Sequence, residues 1–177
     1  MTTRTLFGFL FVFATATTIA IGCGGGGDDD DDDDAAEEEQ TECVDGCEDN
    51  GDGTMTCDCL LWKTQDNGAA VTWDDARDWA EGLDEADRTD WRLPTVEELK
   101  ALYDLDRPYT GTDTGATAYI REPFEVTKTD LWSGELDPSD NQKAYYVSFF
   151  TEAGAYEATI SRDSPGFQSA LAVHDLE

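Results

Sequence analysis

The sequence predicts an α+β domain in which two short amphipathic helices precede a loop-rich middle and a terminal antiparallel sheet. Three patterns carry that expectation. Ala76, Trp79, Ala80 and Leu83 recur at helical spacing behind Thr72. Thr95 and Glu98 form an S/T-x-x-E capping box ahead of Leu99, Leu102 and Tyr103. Beyond Asp130 the period falls to two, with Tyr145, Val147 and Phe149 alternating against Tyr146, Ser148 and Phe150. Five Trp, six Tyr and eight Phe among 177 residues supply the apolar area that such a core needs.

In chain order, residues 1–22 read as an export signal. Arg4 precedes an uncharged, mostly apolar run from Leu6 to Ile21 that is short for a membrane span. Ala20-Ile21-Gly22-Cys23 resembles a bacterial lipobox, which implies cleavage before Cys23 and lipid attachment to its thiol. An ordinary signal peptide or a short uncleaved anchor is the alternative. Acyl chains contribute about 0.8 kcal/mol per buried methylene, so the membrane becomes a partner through Cys23. Gly24 rather than an acid follows, and in the sorting rule this motif resembles, that favours the outer membrane, facing the periplasm or the cell surface.

Residues 23–42 are expected to form the lipidated cysteine and a disordered acidic tether. Glycines fill 24–27 and aspartates 28–34, with three further glutamates at 37–39. Like charges this dense repel and extend, and no apolar side chain offsets the ordering entropy. Residues 24–40 reach about 55 Å when stretched. The carboxylates suit Ca²⁺ in type, but a disordered polyanion offers no preformed cage.

The whole chain holds 41 acidic against 11 basic residues, a formal charge of -30 and a pI near 4.1. Nucleic acid, heparin-like polyanions and bare anionic lipid surfaces are therefore not expected as partners, because each would be repelled. His174 is the single histidine, so neither His-based catalysis nor a multi-His metal site is expected within one chain. No catalytic residue, metal ligand or cofactor is assigned.

A domain is expected over residues 43–177, opening with a Cys-rich hairpin. Cys43, Cys47, Cys57 and Cys59 are four thiols in an exported chain, which reads as two disulfides with three possible connectivities. Asn50-Gly51-Asp52-Gly53 favours a tight turn, whose arms would pair Cys47 with Cys57 and Cys43 with Cys59. A zinc site is the competitor, although C-x3-C with C-x-C is an unusual spacing. An EF-hand fails, because the twelfth position from Asp49 is Leu60. Leu60 to Lys63 then reads as a strand closed by Asp66-Asn67-Gly68, and Thr72 caps the first helix. The second helix starts after Pro94-Thr95, and Arg92 is expected in surface ion pairs. Residues 104–130 show no sustained period and read as long loops. Leu131-Trp132-Ser133 is a strand, residues 137–141 a loop, Glu152-Ala153-Gly154 a hairpin turn and residues 167–173 one closing strand.

Asn50-Gly51-Asp52-Gly53-Thr54-Met55-Thr56, Leu61-Trp62, Thr72-Trp73-Asp74-Asp75-Ala76, Trp91-Arg92-Leu93-Pro94-Thr95-Val96-Glu97-Glu98-Leu99 and Leu131-Trp132-Ser133 occur in that order. Together they resemble the Lcl C-terminal domain family from about Asp49 onward. The resemblance implies a fold similar to C-type lectin-like and sulfatase-modifying domains. The WRLPT-x-x-EL block reads as a folding requirement, with Trp91 and Leu93 plugging the core. Where the family's last strand commonly reads like V-R-C-V-R, this chain has Leu171-Ala172-Val173-His174-Asp175, so a cysteine there is missing.

Three functions compete. A lectin-like recognition or adhesion module would use Trp132, Asp137, Asp140, Asn141 and Tyr145, because aromatic faces beside carboxylates and amides suit a carbohydrate or peptide. The calcium motifs of sugar-binding C-type lectins are not matched, and Glu122-Pro123-Phe124 only echoes one of them. An envelope accessory subunit binding another protein is the alternative. A formylglycine-generating-like oxidoreductase is disfavoured, since no cysteine follows Cys59. The expectation is a non-enzymatic recognition domain.

Overall fold

A computed structural model describes residues 46–164 and 166–176. Cys23, Cys43, the export signal and the acidic tether lie outside the described residues. In chain order the elements are β1 (Cys47–Asp49), β2 (Thr54–Cys57), β3 (Leu60–Lys63), α1 (Trp73–Glu81) and α2 (Val96–Ala101). Five strands follow: β4 (Asp130–Leu136), β5 (Lys143–Ser148), β6 (Tyr156–Ser161), β7 (Gln168–Ser169) and β8 (Val173–Asp175). They form two sheets, ordered β1-β2-β3-β8 and β6-β5-β4-β7.

The Cys-rich hairpin is an integral part of the first sheet. Asp49 Oδ1 accepts the Gly51 N–H at 2.9 Å, and Asp52 Oδ1 accepts the Thr54 N–H and hydroxyl at 2.9 and 2.6 Å. Gly51 and Gly53 take φ of +75° and +91°, which glycine adopts without a Cβ clash. The resulting register sets Cys47 opposite Cys57, and the two are joined by a disulfide. The next turn is a two-residue hairpin at Asp58-Cys59, both with positive φ, as a primed turn requires. Cys59 is itself disulfide-bonded, which holds a side chain that seldom takes this conformation. Reduction should cost about 2–3 kcal/mol for the short Cys47–Cys57 loop alone. A melting temperature unchanged by dithiothreitol would contradict that expectation.

Both helices start where their caps predict. The Thr72 hydroxyl accepts the Asp75 N–H, and α1 buries Trp73, Ala76 and Ala80 while Trp79 and Leu83 stay half-buried at its flank. The Trp73 indole donates to the Ser133 carbonyl at 2.7 Å. At α2 the capping box is complete: Thr95 accepts from the Glu98 N–H, and Glu98 accepts from the Thr95 N–H at 2.7 Å. Leu99 and Leu102 are fully buried beside half-buried Tyr103.

The terminal segment corrects one expectation. Residues 167–173 are not a single closing strand. β7 pairs parallel with β4, and after Ala170, Leu171 and Ala172 the chain crosses to pair β8 antiparallel with β3. Those three crossing residues are fully buried, and Asn67 and Lys63 take their backbone hydrogen bonds. Apolar burial on both sides of the crossing explains why an unbroken hydrophobic run belongs to two sheets.

The β4–β5 pair separates two cores. Leu131 and Val147 face one with Trp62, Leu99, Ile120 and Leu171, while Trp132 and Ala144 face the other with Trp73, Ala76 and Trp91. The middle segment lacks regular strands, as expected, yet Ala118, Ile120, Phe124 and Val126 are all core residues. Single bridges at Tyr103–Ile120, Tyr109–Ala118 and Gln65–Glu125 pin it in place.

Candidate functional site

The WRLPT block supplies the frame around which any site is built. Trp91, Leu93 and Pro94 are buried. The Arg92 backbone exchanges hydrogen bonds with Val173 at 2.8 and 2.9 Å, tying the block to β8. Its guanidinium grips Glu98 through two bonds of 2.9 Å and Asp175 through bonds of 2.9 and 2.6 Å. Arg92 is thus more than a surface ion pair: it joins the α2 cap to the last strand. Across the block, Gly134 donates to the Pro94 carbonyl at 2.7 Å, and a Cβ there would come within 3.2 Å of the Leu93 carbonyl. His174 lies against Trp91 with ring centroids 5.9 Å apart.

These pairs make stability depend on acidity. Burial would push the Glu98 carboxyl up, but Arg92 and the Thr95 N–H outweigh it and hold it below the usual range. Hydrogen bonds from Arg92 likewise depress Asp175, and Ser139 and Thr54 depress Asp137 and Asp52. A carboxyl with a lowered folded-state pKa stabilises fully above its unfolded value, about 4, and that contribution vanishes as pH falls through the folded value. Asp130, raised by burial, has the opposite sign. Urea unfolding should therefore require less denaturant at pH 3 than at pH 6. Arg92→Met should flatten that acid limb, and an unchanged slope would remove the pair from the explanation.

The expected ligand contacts do not share one surface. Trp132 is corrected: it is 0% exposed, packs edge-on to Tyr146, and donates from its indole to the Val71 carbonyl at 2.9 Å. It cannot offer a ring face to a ligand. Asp137 closes its own turn, accepting the Ser139 N–H and hydroxyl at 2.9 and 2.6 Å. Asp140 accepts the Gln142 N–H, and the Asn141 carbonyl accepts from Arg162. These three polar residues shape the β4–β5 loop. Tyr145 alone lines a sizeable opening, an open cleft of about 540 Å³ between α2 and the second sheet.

Sequence reasoning missed the rest of that cleft, whose walls include Val96, Leu136, Pro138, Glu135, Glu97 and Glu157. Lys100 bridges Glu157 and Glu97, and hydrogen bonds to them raise its pKa above the ordinary value. The lining of the cleft combines three apolar side chains, one phenol and three carboxylates, a set suited to contact and hydrogen bonding. No local pattern could reveal it, because its walls come from segments some forty to sixty residues apart.

Residues 56–165 match the Lcl C-terminal domain family, which is more than half of the chain. The chain belongs to that family. The match starts inside β2 and stops before β7, a narrower span than the motifs from Asp49 to the terminus imply. Membership points to a cell-surface or envelope-related domain. No curated protein and no solved structure gives a significant match. In this Lcl C-terminal domain, Asp175, the last residue of β8 and next to the single histidine, anchors Arg92. Cys47 and Cys57 are oxidised together, so a four-thiol zinc site is not formed. Among the described residues, no group of three or more His, Cys, Asp or Glu is placed to hold a metal ion. None of the described helices is long and apolar enough to cross a membrane.

Proposed function

We propose that the protein is a lipid-anchored envelope protein, held in the outer membrane through acyl chains on Cys23, that displays a C-type-lectin-like domain for non-catalytic recognition. The observation that carries this reading is a division of labour. The side chains of the WRLPT block are spent on packing and pairing. The open cleft beside Tyr145, by contrast, is lined by apolar side chains and carboxylates with no nucleophile and base arranged together. A rigid frame with an accessible cleft suits binding of a carbohydrate or an extended peptide. The acidic tether would set the domain off the membrane.

Cys23→Ala should move the chain from the membrane to the soluble fraction; retention with membranes would sink the anchoring. Labelling whole cells with a membrane-impermeant reagent separates surface from periplasmic display. A glycan array combined with a pull-down from intact cells tests the ligand. Glycan capture without a co-purifying protein supports recognition, and the converse supports an accessory envelope subunit. That second reading draws on Phe150, Tyr156 and Phe167, which are 57%, 47% and 70% exposed.

A further inference from the structure

A second opening lies where the Cys-rich hairpin meets α2. This pocket has a volume of about 260 Å³, and of the described residues Glu97 alone lines both it and the cleft. Its apolar wall consists of Leu60, Trp62, Ala101 and Leu102 beside Cys57 of the disulfide. Trp62 and Leu102 belong to the core, so close packing fixes the shape of the wall. Arg121 closes the remaining side.

The Arg121 backbone is held at both of its polar groups. Its N–H donates to the Leu102 carbonyl at 2.9 Å, and its carbonyl accepts the Phe124 N–H at 3.2 Å. The half-buried side chain lies along the disulfide, with Nη1 against Cys47 Sγ and 3.7 Å from Cys57 Sγ. These sulfurs are weak acceptors without charge, so they do not compensate the guanidinium. Among the described lysines and arginines, only Arg121 and the exposed Arg88 stand in no ion pair with a carboxylate. That is a distinctive position in a chain with 41 acidic residues for 11 basic ones. Nε and Nη2 of Arg121 have no hydrogen-bond partner among the described residues.

The acids of the lining are committed elsewhere. Glu98 is held by Arg92 and the Thr95 N–H, Glu97 pairs with Lys100, and Asp58 accepts the Gly46 N–H. Arg121 is therefore the uncommitted charge of an otherwise apolar pocket. Apolar walls with one well-placed polar group are the usual composition of a small-molecule site. The planar guanidinium fork matches a carboxylate in particular. The negative charge of the whole chain repels polyanions, but salt screens it beyond about 8 Å, so contact with Arg121 governs a single carboxylate.

We infer that this pocket binds an apolar carboxylate. The hydrocarbon part lies against Leu60, Trp62 and Leu102, and the carboxylate meets the free edge of the Arg121 guanidinium. Such a group is carried by a small free acid or by the last residue of a peptide. This site goes beyond the cleft reading and does not depend on it.

The test titrates the full chain in phosphatidylcholine nanodiscs with 3-phenylpropanoate and with N-acetyl-leucine. The matching amides, 3-phenylpropanamide and N-acetyl-leucinamide, keep the shape without the charge. Methyl NMR of Leu60, Ala101 and Leu102 and the Arg121 Nε–H signal should show saturable shifts with the acids. Tighter binding of N-acetyl-leucine supports a peptide terminus, and tighter binding of 3-phenylpropanoate supports a free acid. The amides should bind on the order of tenfold more weakly, and Arg121→Gln should weaken the acids by a similar factor, since a charge-assisted bond is lost. Ala101→Phe, at an exposed position on the rim, should block entry while leaving the melting temperature unchanged. Equal binding of acid and amide, affinity unaltered by Arg121→Gln or Ala101→Phe, or no saturable shift with either acid would each overturn the proposal. None of these outcomes bears on glycan capture by the cleft, so the two readings fail separately.

Discussion

Trp132→Ala should destabilise the domain by about 3–5 kcal/mol, the range for removing a fully buried large aromatic side chain. The indole is 0% exposed between Tyr146 and the buried face of α1, and the cavity left behind would be bounded by β4 and β5. Trp132→Phe separates the two parts of this effect. It keeps most of the ring volume but leaves the Val71 carbonyl without its donor, at about 1–3 kcal/mol. Equilibrium unfolding in urea measures both. A surface ligand contact would instead change stability by no more than about 0.5 kcal/mol, and a result that small would return Trp132 to the binding surface.

Arg92→Ala should cost about 2–3 kcal/mol. Breaking a buried pair from one side costs about 3–5 kcal/mol, and the figure is reduced here because the Arg92 side chain is a third exposed and solvent screens it. The loss has two parts. Glu98 keeps its capping bond to Thr95 but has no cation beside it, and Asp175 loses its hold on the block. Arg92→Lys should restore only part of the stability, since an ammonium cannot make paired bonds to two carboxylates at once. A double-mutant cycle with Glu98→Gln should show strong coupling. Simple additivity would indicate that the pair contributes nothing beyond its separate halves.

What could be read directly from the sequence was whatever local chemistry determines. The Asn50-Gly51-Asp52-Gly53 turn fixed the arms of the first hairpin, and with them the Cys47–Cys57 pairing. Thr72 and Thr95 marked both helix starts because capping needs only three or four neighbouring residues. The strand at Leu131-Trp132-Ser133 was visible, but not which side of it faces solvent. Both sides of β4 are covered, so Leu131 and Trp132 are equally buried and alternation carries no inward or outward label. Ile120 and Phe124 were hidden for a different reason: single bridges hold them in the core, and a single bridge imposes no period. The cleft and the Arg121 pocket depend on contacts between distant segments. For the cleft, Tyr145 was the one legible member.

The strand that begins the described domain sits at one edge of its sheet and is covalently stitched to the next. A pull applied at Gly46 therefore reaches Cys57, a buried position, through sulfur before it strains the few β1–β2 hydrogen bonds. Those bonds would otherwise open one after another like a zip. Traction is delivered instead to β2, which is paired along its whole length with β3, so the domain resists peeling from the end at which it would be tethered.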